Sequence, residues 1–314
     1  MPDGSGKLRG RAVVVTGAGG FIGSALTAGL LARGATVRAL AGAPGQDTSK
    51  LPAAVEPLHA DIGDQAMLDH LAADASVCFH LAGPPSVAGS FGAPAEYARV
   101  HVLGTLAMLE ACRQAGVQRF VYLSSAEVYG RAGAEPVAED RAPAPRSPYA
   151  AAKAAAEQYV GAWGRASGIE CVVLRPFSVY GPGLAGHSVL GTILRQVCGR
   201  EEIVLADLRP VRDFVFLDDV VEGILRAAVL PVSGRTFNLG TGVGTSVEAL
   251  AGTAMRAVGV TVPLRCDPAL RRPSEAEIHH LVADPTGASE ALDWRARVGL
   301  EEGLRRTIRS LAAT

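Results

Sequence analysis

The chain predicts an α/β protein, a doubly wound parallel sheet with a smaller C-terminal lobe. Three observations carry that expectation. Strand-like and helix-like segments alternate through the first half, as a parallel sheet with crossover helices requires. The first strand runs directly into a glycine-spaced turn and a helix, TGAGGFIG at 16–23. The second half loses this rhythm without any low-complexity linker, so it reads as a lobe packed on the first part with a cleft between.

Element by element, RAVVVTG (11–17) is an apolar run of strand length, and FIGSALTAGLLARG (21–34) has helical spacing that stops at Gly34. ATVRAL (35–40) is a second strand, AVEPLHADI (54–62) leads into a third, and AMLDHLAA is helical. ASVCFHLAG (75–83) is a fourth strand, a helix spans Tyr97–Ala115, and QRFVYLSS (118–125) is a fifth strand. SPYAAAKAAAEQYVGAWGRASG (147–168) reads as a helix with Ser147 as N-cap and Pro148 at its first position. ECVVLRPFSVYGPG (170–183) is a strand that runs into a Pro/Gly loop, and EEGLRRTIRSLA is a closing helix. Residues 1–176 are expected to form the sheet domain. Residues 177–314 are expected to form mostly the smaller lobe, with some segments returning to the sheet.

Composition narrows the function classes. The 314 residues are 48% hydrophobic, enough for a full core, and the formal net charge is −1. That balance, with no basic run, argues against nucleic acid as a partner. No apolar stretch approaches the roughly 20 residues of a membrane span, and the polar opening MPDGSGKLRG does not resemble a signal peptide. The five cysteines (78, 112, 171, 198 and 266) are scattered without a CxxC pair, which suggests buried free thiols and a reducing compartment. A soluble cytoplasmic protein is expected. No metal site is expected, because the His279-His280 pair lacks partners at ligand spacing. No G-x-S-x-G elbow points to a hydrolase.

Gly17, Gly20 and Gly23 follow G-x-x-G-x-x-G at the first strand-to-helix turn. Side chains are absent where the turn is tight, the backbone can approach a pyrophosphate, and a helix N-terminus faces it. A dinucleotide site of the Rossmann type follows. Its usual acid at the end of the second strand is missing, since Ala41 stands there; Arg38 lies inside the strand, and Arg33 and Lys50 are unplaced candidates for reading a phosphate. NAD and NADP both stay open. Asp61 in HADI suits either an adenine contact or a helix cap. Tyr149 and Lys153, at i and i+4, share one helix face. An ammonium beside a phenol favours the phenolate, which suits proton transfer to or from an alcohol oxygen while a nicotinamide carries the hydride.

Ten blocks in order resemble the extended short-chain dehydrogenase/reductases, specifically the NAD(P)-dependent nucleotide-sugar epimerase/dehydratase family. They are TGAGGFIG, ADI, HLAG, VHVLGTLAMLEA, FVYLSSAEVYG, SPYAAAKAAAE, RPFSVYGPG, RDFVFLDDVV, FNLGTG and RRPSE. The resemblance implies that Ser125 hydrogen-bonds the reacting sugar oxygen, that Tyr149 is the acid/base, and that Lys153 bonds the nicotinamide ribose. It places Phe21, Ile22, Asp61, Ile62, Leu81, Ala82 and Pro176 beside the cofactor with the three glycines. Ser86, Ser178, Arg212 and Arg272 fall to the substrate, the arginines gripping its diphosphate. The substrate class implied is a UDP-, dTDP- or GDP-linked sugar, and a homodimer is expected. Three residues depart from the family pattern. His101 replaces the usual Asn of N-V-x-G-T, where it is expected to alter helix support. Ser178 replaces an Asn before VYGPG, and Ala41 replaces the ribose acid.

The resemblance also frames SSAEVYG (124–130). Family 4,6-dehydratases resemble T-D-E-V-Y-G, whereas this chain has Ala126-Glu127, so the Asp acid is absent. Glu127 is thus a base acting near C5, a polar residue that binds the sugar without proton transfer, or a cap or solvated side chain. The expected activity is a 4-epimerase with a transient 4-keto intermediate. The alternatives are an NADPH-dependent 4-ketoreductase, an unusual dehydratase or decarboxylase using Glu127, and, from another class, a non-catalytic dinucleotide sensor.

Overall fold

A computed structural model describes residues 5–43, 45–184, 186, 188–270 and 277–312. In the first half, β1 (Ala12–Thr16) leads to α1 (Phe21–Ala32), β2 (Thr36–Gly42), β3 (Pro57–His59), α2 (Gln65–Ala72) and β4 (Val77–His80). Short helices α3 (Val87–Ser90) and α4 (Pro94–Ala98) and a π-helical turn at Arg99–Leu103 precede α5 (Gly104–Gln114) and β5 (Arg119–Leu123). A 3-10 turn at Ala126–Tyr129, α6 (Pro148–Ser167) and β6 (Glu170–Pro176) complete this part.

The remaining elements are β7 (Ser178–Tyr180), α7 (Val189–Cys198), β8 (Ile203–Leu205), β9 (Val211–Phe216), α8 (Leu217–Val229) and β10 (Thr236–Leu239). They continue with β11 (Gly244–Ser246), α9 (Val247–Val258), β12 (Leu264–Cys266), β13 (His280–Leu281), α10 (Thr286–Leu292) and α11 (Leu300–Ala312).

The main sheet has seven strands in the order β3-β2-β1-β4-β5-β6-β10, and every neighbouring pair is parallel. β4 and β5 are buried at every position because helices cover both faces, which is why they read as unbroken apolar runs. One face packs α1 and α8 through Leu26, Leu30, Val220 and Ile224. The other packs α2, α5 and α6 through Leu68, Met108, Leu109 and Val160. The strand order reverses between β1 and β4, and in such sheets ligands bind at the strand carboxyl ends beside that reversal.

The chain beyond residue 176 divides its loyalty. β10 closes the sheet edge against β6, and α8 packs on α1. The rest forms a lobe: β7, β11 and β13 gather around β9, β8 pairs with β12, and α7, α9 and α11 pack around Leu194, Leu250 and Leu304.

Three local expectations are revised. The helix expected over Tyr97–Ala115 begins at Pro94 and is interrupted by the π-helical turn at Arg99–Leu103. The third strand is only three residues long, and the fifth ends at Leu123. The thiols are not uniformly buried: Cys78, Cys112 and Cys171 are, Cys266 is half-buried, and Cys198 is exposed at the end of α7. At α6, Ser147 caps as expected, its Oγ accepting the Ala150 N–H at 3.1 Å, and Gly168 (φ 76°) ends the helix. Among the described residues no helix is long and apolar enough to cross a membrane.

Candidate active site

A cleft of about 1480 Å³ opens above the carboxyl ends of β1, β4, β5 and β6 and runs into the C-terminal lobe. That exceeds the roughly 300–1,000 Å³ of ordinary small-molecule pockets and suits two extended ligands side by side. Every described residue assigned a site role from the sequence lines it: Gly17, Gly20, Phe21, Ile22, Gly23, Asp61, Ile62, Leu81, Ala82, Ser86, Ser125, Glu127, Tyr149, Lys153, Pro176, Ser178 and Arg212. Arg272 lies outside the described residues.

The floor of the cleft at β1 and α1 fits a dinucleotide. A Cβ on Gly23 would lie 2.1 Å from the Gly17 carbonyl oxygen, so only glycine lets α1 start this close to the turn. No side chain caps α1, so the positive end of the helix is left to the Phe21–Gly23 turn that lines the cleft. Beneath it runs a polar chain that the sequence reading missed. Thr16 Oγ1 accepts the N–H groups of Leu81 and Ala82, each at 3.2 Å, and lies 2.8 Å from His80 Nδ1. On the other side of the ring, His80 Nε2 lies 3.0 Å from Thr105 Oγ1, whose hydroxyl donates to the His101 carbonyl at 2.6 Å. Thr105 has thus used its proton, so His80 Nε2–H donates to it and Nδ1 accepts from the Thr16 hydroxyl. The ring is neutral: burial, with the Lys153 charge nearby, lowers its pKa to about 3. The quoted HLAG and VHVLGT blocks contained this signal, but only the fold shows that they meet.

Around the carboxyl ends of β2 and β3, the structure shows the partners of residues that the sequence left open. Asp61 does not cap α2; Asp64 does, accepting the Met67 N–H at 3.2 Å. Asp61 Oδ1 accepts from the Gly63 N–H at 2.8 Å, and both oxygens take the Arg99 guanidinium at 2.7 and 3.0 Å. Arg99 and the Gly63 N–H hold the Asp61 carboxyl below its ordinary pKa. Ala41 is buried in β2, which runs on to Gly42, and Gln46 packs over Gly42. The cations weighed as phosphate readers are engaged elsewhere. Arg33 pairs with Glu222 at 2.7 Å, Arg38 donates to the carbonyls of Leu71 and Ala73, and Lys50 donates to the Gly183 carbonyl at 3.1 Å.

The reaction end gathers on the turn after β5 and on the first turns of α6. Ser125 caps the 3-10 turn, its Oγ accepting the Glu127 N–H at 3.2 Å, and its hydroxyl acts on Tyr149 in the direction that lowers the phenol pKa. Lys153, 4% exposed, donates to the Leu123 carbonyl at 2.7 Å, with its ammonium 4.9 Å from the centroid of the Tyr122 ring. Burial lowers the Lys153 pKa to about 7, and the Glu157 carboxylate opposes that shift. The Tyr149 phenol goes the other way from the simple Tyr/Lys expectation. Burial raises it to about 12, Ser125 lowers it, and the Glu127 carboxylate raises it again. Desolvation of a phenolate dominates, and the Lys153 ammonium bonds the Leu123 carbonyl instead of the phenol.

Further out, Ser86 caps α3, accepting the Gly89 N–H at 2.9 Å, while Arg212 on β9 meets Glu277 at 3.5 Å. Gln46, Arg99, Arg209 and Glu277 also line the cleft and carried no sequence motif. Behind the reaction end, Glu157 and Arg175 form a buried pair, with Arg175 Nε and Nη2 at 3.0 and 2.7 Å from the two carboxylate oxygens. Ser124 also donates to Glu157, and the Tyr129 hydroxyl links Arg175 to Asn238. Among the described residues no three His, Cys, Asp or Glu side chains are placed to hold a metal ion.

Comparison with known proteins finds relatives over nearly the whole chain. A curated relative, UDP-glucose 4-epimerase of Mycolicibacterium smegmatis, is 37% identical over 306 residues, covering 94% of this chain and 96% of its own. The solved UDP-glucose 4-epimerase of Thermus thermophilus, in complex with NAD, superposes with a TM-score of 0.88 at 30% identity, over 96% of this chain and 99% of its own. RMD from Pseudomonas aeruginosa, complexed with NADPH, superposes with a TM-score of 0.82 at 27% identity, with coverages of 96% and 99%. Residues 13–240 match the model of the NAD dependent epimerase/dehydratase family. With that match across the sheet, and with its glycine turn, Ser125, Tyr149 and Lys153 lining one cleft, the chain belongs to the NAD dependent epimerase/dehydratase family of enzymes.

Proposed function

We propose that this enzyme is a nucleotide-sugar 4-epimerase that recycles a tightly held NAD⁺. The observation that carries the reading is the convergence of Ser125, Tyr149 and Lys153 at one end of a cleft whose other end is a dinucleotide cradle. The bound nicotinamide would supply the acceptor and donor of the C4 hydride. Tyr149, as its phenolate, takes the proton from the sugar O4, becomes the phenol, and later returns that proton to O4. Ser125 orients that oxygen, and Lys153 holds the cofactor ribose. The sugar turns over as its 4-keto form between the two transfers, so no net oxidant or reductant is consumed. Arg212 and Arg272 hold the diphosphate, and UDP is the nucleotide favoured by the relatives' names. A conventional 4,6-dehydratase is disfavoured because buried Ala126 stands in place of its acid.

NAD is favoured over NADP because Arg33, Arg38 and Lys50 are all engaged, and a 2′-phosphate needs a cation. The missing acid at Ala41 keeps the NADPH-dependent 4-ketoreductase as the second reading. Denaturing the purified protein and weighing the released nucleotide separates the two. Stoichiometric NAD⁺ supports the epimerase, whereas an empty site with a preference for NADPH supports the reductase. Tyr149→Phe should cut interconversion of UDP-glucose and UDP-galactose by about 10²–10⁴-fold with the dinucleotide still bound. Near-normal turnover in that variant refutes the mechanism. We also infer a cytoplasmic homodimer that uses the α5 and α6 side. Leu103 and Tyr159 stand exposed there, and light scattering would report the mass.

A further inference from the structure

His101 occupies the position where the family resemblance expects Asn, and the structure gives it surroundings that an Asn would not fill. It lies in the π-helical turn between α4 and α5, is 1% exposed, and its ring borders the cleft. Such turns insert a residue into a helix and recur at functional sites. His101 Nε2 lies 3.1 Å from the Pro84 carbonyl, which can only accept, so Nε2 carries the proton. Nδ1 finds no hydrogen-bond partner among the described residues. The ring is uncharged, its pKa lowered to about 2 by burial and by the nearby Lys153 charge, so it is not built to move a proton.

Its contacts are with rings and with a loop. The imidazole meets the Tyr149 ring edge-on, centroids 5.4 Å apart at 77°, and the Tyr97 ring at 5.8 Å and 50°. Tyr97 in turn meets Tyr149 at 6.3 Å and 86°, and its hydroxyl donates to the Ser86 carbonyl at 2.8 Å. The Gly83–Ser86 loop, which lines the cleft, is therefore tied at two carbonyls by the same cluster that flanks the catalytic phenol. Gly83 fits the imidazole: a Cβ there would lie 2.1 Å from His101 Cε1 and 2.4 Å from Nδ1.

We propose that His101 is a positioning residue for Tyr149. It is a neutral ring clamped against the Gly83–Pro84 turn, and it fixes both the angle of the phenol and the loop that faces the sugar. This rests on the assignment of Tyr149 as acid/base. A shorter side chain leaves a void along the phenol edge opposite Gly83 and frees the Pro84 carbonyl. Because a misplacement of about 1 Å at a reacting group can cost about 10²-fold, the loss should appear in kcat.

The test uses the full-length enzyme with its bound nucleotide and compares wild type with His101→Asn, His101→Ala and His101→Gln. The expected result is kcat with UDP-glucose down about ten- to hundredfold per bound dinucleotide in all three, with KM moved less than about threefold. His101→Gln retains a donor for the Pro84 carbonyl without the ring. Wild-type kcat in that variant, or in His101→Asn, overturns the proposal. A second readout does not need turnover. Crystal structures of wild type and His101→Gln should show the Tyr149 ring turned and the Gly83–Ser86 loop displaced in the variant, with Tyr180 unmoved. A Tyr149 ring and loop that keep their wild-type positions overturn the proposal. If wild type converts no sugar nucleotide, the epimerase reading falls, and the Tyr149 ring position still decides the role of His101.

Discussion

Replacing Glu157 with Gln keeps the shape of the side chain and removes its charge. Glu157 and Arg175 are both nearly sealed, with side-chain exposures of 5% and 6%, and the carboxylate takes two guanidinium nitrogens and the Ser124 hydroxyl. Removing one partner of such a pair strands the other charge, at a cost of about 3–5 kcal/mol. For 314 residues the unfolding entropy is about 0.7 kcal/mol/K, so the melting temperature should fall by about 5–8 °C. The same carboxylate holds up the pKa of Lys153, one helical turn earlier. Its loss should push that pKa further below about 7, so the alkaline fall in activity begins at lower pH than in wild type. Thermal melts and a kcat–pH profile of Glu157→Gln measure both effects. A melting temperature within about 2 °C of wild type, with an unmoved profile, would refute the argument that this pair ties α6 to β6.

Two further outcomes follow from the geometry. Gly23→Ala places a Cβ 2.1 Å from the Gly17 carbonyl oxygen, so the α1 turn must shift. Released dinucleotide should drop below half, with about 1–3 kcal/mol lost in stability, read by mass spectrometry and by urea unfolding. Acid should destabilise the enzyme through its buried rings. His80 and His101 have folded pKa values of about 3 and about 2, below the ordinary 6.5, so the unfolded chain binds protons that the folded one refuses. Their contribution is fully present above about pH 6.5 and is lost as pH falls toward about 3, at up to about 1.4 kcal/mol per pH unit for each ring. Urea titrations at about pH 7.5 and about pH 5.5, on either side of the unfolded pKa, should show His101→Asn losing less stability to acid than wild type.

The alternating pattern and the glycine turn made the parallel sheet readable from the sequence, because both depend on neighbours a few residues apart. Buried strands announce themselves as RFVYL-like runs, and α6 announces its own start with Ser147 and Pro148. That Ser125, Tyr149 and Lys153 belong together at one cleft was readable for the same reason: each sits at a fixed offset within a local motif. The fate of charged side chains was not readable, because their partners lie far along the chain. Arg38 and Arg33 serve α2 and α8 rather than a phosphate, and Asp61 is bound to Arg99, 38 residues away. The direction of the Tyr149 shift was hidden too. Helical spacing places Lys153 beside the phenol, but only packing revealed that burial dominates and that Lys153 bonds Leu123. His101 is the clearest case. The sequence marks it as a departure from Asn, and the void at Gly83, the Pro84 carbonyl and the edge of Tyr149 that give it a role come from other segments of the chain. Local order is encoded by spacing. A site's electrostatics and fit are decided by which distant groups the fold brings within a few ångströms and by how completely water is excluded from them.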